Sequence, residues 1–172
     1  MIKTFQFTFE ELNIQPEDLT VLLGFDEGII PEPFPEIIQQ ALVDAQRLCK
    51  IRGGYKVFDK IEMNLKAATI KIENTTFSPS KIVTTQLKDA NSAVLFVCTA
   101  GEEISNYSNK ILADDPMLGY IFDIIGSVTV ERAMDKIQEI LFTELQKSGL
   151  NLSDRYSPGY CEWNVAEQQK LF

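Results

Sequence analysis

The sequence of 172 residues contains no histidine. This absence excludes Ser-His and Cys-His nucleophile pairs, histidine general bases and imidazole metal ligands together. Any chemistry must therefore rely on carboxylates, arginine, tyrosine, backbone groups or the reactivity of a bound ligand. We accordingly expect the chain to supply neither a catalytic residue nor a metal site of its own.

Cysteine is scarce, and its spacing excludes two further kinds of site. Cys49, Cys98 and Cys161 lie far apart and form no C-x-x-C pair, so the sequence indicates neither a zinc cluster nor a disulfide framework. Cys49 and Cys98 stand among apolar residues, which is typical of small core side chains. We expect Cys161 to be unreactive.

Basic charge is sparse as well. Lysine and arginine number 16 against 25 acidic residues, which leaves a net charge of −9 and no basic run. Nucleic acids and anionic membrane surfaces are therefore poor partners for this chain.

No apolar stretch reaches the roughly 18 residues of a membrane span, and the N-terminal sequence lacks the pattern of a signal peptide. We expect one domain over residues 1–172, located in the cytoplasm.

The apolar pattern changes from alternation in the middle of the chain to helical periodicity later. Strands are predicted around residues 5–9, 55–57, 68–72, 81–87 and 93–98. Helices are predicted over residues 16–23, 37–49, 101–112, 117–147 and 162–172. Short turns between the strands favour antiparallel neighbours, and the continuous apolar run at 93–98 favours a strand that is buried on both faces. The sequence thus predicts an α+β fold, with a largely antiparallel sheet flanked by helices.

The segment Arg155-Tyr-Ser-Pro-Gly-Tyr160 is the most informative stretch of the chain. An arginine offers a rigid fork of donors that matches a carboxylate, and it stands four residues before a Gly-Tyr pair. Pro158 stiffens the turn, and Gly159 permits a positive φ or a close approach to a ligand. Tyr160 adds an aromatic face with a hydroxyl group. The segment could hold a small zwitterion with a flat ring, although a plain surface turn has the same composition.

A carboxylate interrupts the long apolar helix that is predicted from residue 117. The stretch around Glu131 is apolar nearly all round, which predicts that this part of the helix is buried. A buried carboxylate must be paired or reach a cleft. Glu131 therefore either bridges to the neighbourhood of Arg132, to Lys136 or to another surface lysine, or receives the ammonium group of a ligand. Asp123 and Asp135 fit solvated edges of the helix better, and Gly126 is small enough for another element to approach closely.

Three segments occur in an informative order: Phe96-Val-Cys-Thr-Ala-Gly101, Gly126-Ser-Val-Thr-Val-Glu-Arg-Ala133 and Arg155-Tyr-Ser-Pro-Gly-Tyr160. Together they resemble the activation (reactivation) domain of cobalamin-dependent methionine synthase, and most of all the small stand-alone proteins that carry this domain. The resemblance runs from about residue 30 to the end of the sequence. It implies a twisted, largely antiparallel sheet flanked by helices, and it implies binding of S-adenosylmethionine.

The resemblance also implies roles for individual residues. Arg155 would hold the carboxylate of S-adenosylmethionine, and Glu131 would hold its ammonium or a neighbouring polar group. The backbone of Tyr156, Ser157, Pro158 and Gly159 would meet the adenine or the ribose. Tyr160 would pack near the sulfonium and face a corrin. The sulfonium is already a strong methyl donor, so a chain without histidine suits this chemistry.

Cobalamin would be carried by a partner, either a cobalamin-binding methionine synthase or a related corrinoid protein. A reduced cobalt would take the methyl group, with an electron from a flavodoxin-type donor. Because the sequence has no Cys/His zinc cluster and no histidine to ligate cobalt, we do not expect a complete methionine synthase. We expect a methyltransferase component that is not a complete enzyme alone. The alternatives are a non-catalytic module that binds S-adenosylmethionine or a corrinoid protein, and a scaffold with a vestigial pocket.

The sequence also departs from the family pattern. Family domains continue beyond the helix that follows the Gly-Tyr pair, so we expect this chain to lack their C-terminal segment. The family also uses an acidic residue near its N-terminus. Its counterpart among Asp18, Asp26 and Asp44 is not fixed by the sequence.

Overall fold

A computed structural model describes residues 2–26 and 29–171. Their contacts divide the chain into two compact units. Unit 1 contains the chain up to Lys3, Tyr55–Phe96 and the chain from Phe142 onward, and unit 2 contains Thr4–Gly54 and Val97–Leu141. The single domain over residues 1–172 stays a prediction. The predicted loop position at Gly28 and the predicted helix end at Phe172 lie outside the described residues.

The described residues form strands, α-helices and short 3₁₀ helices. The strands are β1 (Ile2–Phe7), β2 (Ile51–Phe58), β3 (Glu62–Asn64), β4 (Thr69–Ile72), β5 (Thr75–Phe77) and β6 (Ala93–Thr99). The α-helices are α1 (Phe34–Leu48), α2 (Lys81–Gln86), α3 (Glu102–Leu112) and α4 (Pro116–Gln146). The 3₁₀ helices cover Glu10–Leu12, Pro16–Leu19 and Val165–Leu171.

The strands are divided between two three-stranded sheets. One has the order β1-β2-β6, and the other has the order β3-β4-β5. In the second sheet both pairs are antiparallel, with Met63 opposite Ile70 and Ile70 opposite Phe77. The predicted α+β class is confirmed.

The predicted strand over residues 81–87 is wrong, because Lys81–Gln86 form helix α2 and Leu87 is its C-cap. The hydroxyl of Ser80 caps helix α2 by accepting a hydrogen bond from the amide of Val83 at 3.3 Å. Thr84 and Thr85 donate their hydroxyls to carbonyls of the preceding turn, at 3.2 and 2.7 Å. The side-chain cap by Ser80 and these local hydrogen bonds outweigh the preference of threonine and valine for strands.

Two further predictions need correction. Strand β6 is half-buried rather than buried on both faces, and Val97 is 42% exposed. The helix predicted from residue 162 begins at Val165 instead and is a 3₁₀ helix over Val165–Leu171. The long helix is confirmed as Pro116–Gln146, and the helix predicted over 101–112 is confirmed as Glu102–Leu112.

The core of unit 2 lies between α1, α3 and the first part of α4. Helix α1 buries Ile38, Ala41, Leu42 and Ala45, which recur every three or four residues as an amphipathic helix requires. Helix α4 buries Ile121, Phe122, Ile124, Ile125 and Val128 against the same core. The ring of Tyr107 meets that of Phe122 edge-on at 4.8 Å. In the part of the chain that the structure describes, no helix combines the length and apolarity needed to cross a membrane.

Unit 1 has a smaller core under the β3-β4-β5 sheet. Ile70, Ile72 and Phe77 are buried there, and Trp163 and Leu171 pack against them.

A polar cluster in unit 1 joins three segments that are distant in sequence. The hydroxyl of Tyr55 donates to Glu144 at 2.8 Å, and Lys3 pairs with the same carboxylate. Burial, then the hydrogen bond and charge of Glu144, raise the pKa of Tyr55 to about 12. Hydrogen bonds from Lys3 and Tyr55 lower the pKa of Glu144.

The close approach along α4 lies at Gly119, not at the predicted position of Gly126. A Cβ added to Gly119 would lie 2.7 Å from the Cα of Leu112, and the hydroxyl of Ser108 donates to the Gly119 carbonyl at 2.8 Å. A Cβ on Gly126 would meet only the side chain of Ile104, at an ordinary 3.7 Å. The turn between α3 and α4 therefore requires a glycine at 119.

These two glycines give a matched pair of substitutions. Gly119→Ala should lower the free energy of unfolding by roughly 1–3 kcal/mol, because backbone atoms of Leu112 must move. Gly126→Ala should raise it by up to about 1 kcal/mol, because alanine favours a helix interior. Urea unfolding followed by circular dichroism measures both changes. Equal effects of the two substitutions would contradict the assignment of the close approach to Gly119.

Candidate functional site

The Arg155–Tyr160 segment follows the end of α4 in unit 1. Helix α4 ends at Gln146, close to the predicted end at residue 147. Gly149 follows with a φ of +70°, and the amides of Gly149 and Leu150 donate to the carbonyls of Gln146 and Leu145. Residues 151–156 then run without regular secondary structure. The segment is thus a loop between α4 and the last 3₁₀ helix.

Residues Ser157 to Tyr160 form a tight turn. The amide of Tyr160 donates to the Ser157 carbonyl at 3.1 Å. Pro158 occupies the second position and Gly159, with φ of +102°, occupies the third, which is the arrangement of a type II turn. The predicted turn at Pro158 and the predicted positive φ of Gly159 are therefore confirmed.

A second turn follows directly. The amide of Trp163 donates to the Tyr160 carbonyl at 2.9 Å, and the central residues Cys161 and Glu162 both have positive φ, at 48° and 63°. The amide of Gly159 donates to the Trp163 carbonyl at 2.8 Å, which links the two turns. Tyr160 lies where they meet, and its side chain is 65% exposed. The double turn therefore presents an aromatic ring on a backbone fixed by three hydrogen bonds.

The remaining loop residues differ in burial. Pro158 is buried, Arg155 and Tyr156 are half-buried, and Ser157 and Gly159 are exposed. Burial raises the pKa of Tyr156, and the charges of Asp154 and Cys161 add to this effect. A guanidinium at one end and an exposed phenol ring at the other give the loop a polar and an aromatic contact for a ligand.

Trp163 and Glu167, which the sequence did not single out, hold this loop. The Trp163 ring meets that of Phe77 edge-on at 6.2 Å, and its indole N–H donates to Glu167 at 3.5 Å. The same Glu167 oxygen accepts the amide of Ser78 at 2.6 Å, and the other oxygen pairs with Lys170. Lys170 also donates to the carbonyl of Thr76 at 2.8 Å.

These contacts account for the acidity of Glu167. Desolvation by burial acts to raise its pKa, but hydrogen bonds from Lys170, from the Ser78 amide and from Trp163 outweigh it, and the pKa is lowered. The carboxylate is therefore ionised while it holds the C-terminal segment. The sequence signals were the single tryptophan and the spacing of three residues between Glu167 and Lys170.

Glu131 is exposed, so the prediction that it lies in a buried stretch of helix is wrong. Tyr120, Asp123, Ser127 and Glu131 recur every three or four residues and form the solvent face of α4. The predicted exposure of Asp123 and Asp135 is confirmed. The apolar majority of residues 117–134 concealed this narrow polar stripe.

The neighbours of Glu131 tie α4 to the N-terminal part of unit 2. Arg132 pairs with Asp18 at 2.5 Å, and Lys136 donates to the carbonyl of Glu11 at 2.8 Å. Of the three candidate aspartates, Asp18 thus contacts the residue next to Glu131, whereas Asp44 pairs with Arg47 on helix α1.

The predicted site residues fall in both units. Arg155, Tyr156, Ser157, Pro158, Gly159 and Tyr160 belong to unit 1, and the structure brings them together in one loop. Glu131 belongs to unit 2. Its contact with the same ligand stays a prediction.

Comparison with known proteins identifies the fold. No family model matches the sequence, and no curated protein matches it. Among solved structures, a crystal structure of the MetH reactivation domain bound to AdoHcy matches with a TM-score of 0.56. The chain has the fold of the MetH reactivation domain. The match covers 93% of this chain and 65% of that chain at 14% sequence identity, so the likeness is one of fold.

Substitution of Gly159 tests the turn. Gly159→Ala should lower the free energy of unfolding by roughly 1–2 kcal/mol, because a Cβ is strained at positive φ. Sterics add little, since the nearest atom to such a Cβ would be the Val165 side chain at 3.8 Å. Gly159→Asn should cost less although asparagine is larger, because asparagine tolerates this position of the turn. Chemical denaturation of both variants makes the comparison, and a larger cost for asparagine would argue against the turn.

Proposed function

We propose that this chain is an S-adenosylmethionine-binding module whose Arg155–Tyr160 loop contacts the ligand. One observation carries the proposal: the Arg-x-x-x-Gly-Tyr segment leads into a double turn over residues 157–163 that presents Tyr160. Support comes from the fold, which is shared with a domain whose crystal structure contains AdoHcy. AdoHcy is S-adenosylmethionine without the transferable methyl group.

The loop offers groups that match the parts of this ligand. The guanidinium of Arg155 can form a bidentate pair with the amino-acid carboxylate. The ring of Tyr160 can meet the sulfonium, since a cation is attracted to an aromatic face. The exposed backbone at Ser157 and Gly159 leaves room for the adenosine portion. Because two turns already fix this backbone, binding would require little further ordering of the loop.

We further propose that the bound S-adenosylmethionine donates its methyl group to a corrinoid. The chain would be a stand-alone reactivation module that presents S-adenosylmethionine to a corrinoid on a partner protein. A flavodoxin-type donor would supply one electron to Co(II), giving Co(I). The Co(I) electron pair would form the cobalt–carbon bond while the sulfur–carbon bond breaks, and sulfur would keep that bonding pair in neutral AdoHcy. This chain would contribute positioning and charge matching, without moving a proton.

Arginine replacement tests the ligand assignment. Arg155→Ala should weaken S-adenosylmethionine binding by about 10- to 150-fold, because a charged hydrogen bond is worth roughly 1.5–3 kcal/mol. Arg155→Lys should recover part of the affinity, since it keeps the charge but loses the fork. Isothermal titration calorimetry with S-adenosylmethionine and with AdoHcy gives the dissociation constants.

Two further variants complete that titration. Arg47→Ala removes an exposed arginine that pairs with Asp44, and it should leave the affinity unchanged. Glu131→Gln should weaken binding less than Arg155→Ala, if the Glu131 carboxylate meets the ligand's ammonium. A Glu131→Gln variant with lower thermal stability and wild-type affinity would assign this residue a structural role. Equal affinities for wild type and Arg155→Ala would refute the loop assignment.

Methyl transfer requires a separate measurement. With S-adenosylmethionine, a chemical reductant and a corrinoid protein, we expect methylcobalamin to form and AdoHcy to accumulate in equal amounts. The absorbance spectrum of the corrinoid follows the reaction. Tight ligand binding without methylcobalamin would favour the non-catalytic module, whereas no binding would favour a vestigial pocket.

A further inference from the structure

We propose that Trp163, Glu167 and Lys170 form a C-terminal clamp that positions the Arg155–Tyr160 loop for its ligand. The inference rests on the proposed function and assigns positioning residues to the same site. Its evidence is a continuous series of contacts within unit 1, from strand β5 to the double turn. Each contact joins described residues of that unit.

The first contacts join the loop to the backbone of Trp163. Trp163 accepts the amide of Gly159 at 2.8 Å and donates its own amide to Tyr160 at 2.9 Å. Two of the three hydrogen bonds in the double turn therefore depend on where this one residue lies. If Trp163 moves, the peptide that carries the Tyr160 ring must move with it.

The next contacts fix the side chain of Trp163. Its ring lies edge-on to Phe77, which is 2% exposed, and packs with Leu171 against the small apolar cluster of unit 1. Its indole N–H points to Glu167 at 3.5 Å, a long hydrogen bond that orients the ring more than it stabilises it. The rigid sheet thus sets the position of the indole.

The last contacts attach the clamp to strand β5 and the residue after it. Glu167 accepts the amide of Ser78 at 2.6 Å, and Lys170 donates to the carbonyl of Thr76 at 2.8 Å while pairing with Glu167. Both anchors are backbone groups separated from the clamp by about ninety residues of sequence. The carboxylate of Glu167 is the common point, because it contacts the sheet, Lys170 and the indole.

The clamp would act by preorganisation. A loop that is ordered before the ligand arrives loses less conformational entropy on binding, so releasing it should reduce affinity without removing any ligand contact. This effect differs from a general loss of stability, which would spread over unit 1. It also differs from the effect of Arg155→Ala, because that substitution removes a proposed ligand contact and leaves the clamp intact.

Replacement of Glu167 tests the clamp in the full chain. Glu167→Ala should weaken S-adenosylmethionine binding by about tenfold, and Glu167→Gln should recover part of this loss because the amide oxygen can still accept from Ser78. Lys170→Met should give an intermediate loss. The matched control is Glu62→Ala, which removes an acidic partner of Lys71 from the β3-β4-β5 sheet. It should leave the affinity unchanged.

Two readouts need no ligand. Amide hydrogen exchange should become faster at Gly159 and Trp163 in Glu167→Ala but not in Glu62→Ala, since these amides donate the bonds that the clamp maintains. Trp163 is the only tryptophan, so its fluorescence reports on the clamp alone. Its emission should shift to longer wavelength in Glu167→Ala as the indole leaves Phe77.

The outcomes separate the two proposals. Faster exchange and weaker binding in Glu167→Ala, with partial recovery in Glu167→Gln, would support the clamp. Unchanged exchange at Gly159 and Trp163 would overturn it, whatever the affinity. Faster exchange with wild-type affinity would reduce the clamp to a structural role and overturn the positioning claim. A wild-type chain that binds neither S-adenosylmethionine nor AdoHcy would refute the proposed function, and with it positioning for that ligand, while the exchange data still test the contacts.

Discussion

The carboxylate of Glu167 is the contact on which the arrangement of the C-terminal segment depends. It accepts the amide of Ser78, the indole N–H of Trp163 and the ammonium of Lys170. Hydrogen bonds offset the cost of partly burying a carboxylate, and here three donors contribute them. Because Trp163 in turn holds Gly159 and Tyr160 through backbone hydrogen bonds, this one acidic side chain connects the sheet of unit 1 to the candidate loop.

Local chemistry made part of this structure predictable from the sequence. Pro158 and Gly159 dictate a turn because proline sets one φ and glycine permits the other. Helices α3 and α4 were predicted to within a residue or two because their patterns are long and end at clear breaks. Helix α2 was missed because its cap at Ser80 outweighs the strand preference of the residues that follow.

The site was harder to predict because its organising contacts are distant in sequence. Nothing around Glu167 indicates that its partner is the amide of Ser78, 89 residues earlier. Glu131 was misjudged for a different reason, since the count of apolar neighbours in its helix concealed a polar stripe at three- and four-residue spacing. Spacing, rather than average hydropathy, decides which side of a helix faces solvent.

The charge balance of the chain agrees with a ligand of the proposed kind. A net charge of −9 repels polyanions and attracts small cations at long range. S-adenosylmethionine carries a permanent positive charge on sulfur, which AdoHcy lacks. Electrostatics of the whole chain would thus favour the methylated ligand on approach, whereas local groups such as Arg155 would set its orientation.

The three thiols of this chain differ sharply in accessibility. Cys49 is buried, and burial, opposed by Thr129 and Lys50, raises its pKa to about 11; burial also raises the pKa of the half-exposed Cys98. Cys161 is exposed and follows Tyr160 directly in the double turn. Contrary to the expectation from the sequence that Cys161 is unreactive, its exposure makes it the thiol with which a maleimide should react first at neutral pH. The native chain thus accepts a dye or spin label beside the candidate loop without any engineered residue.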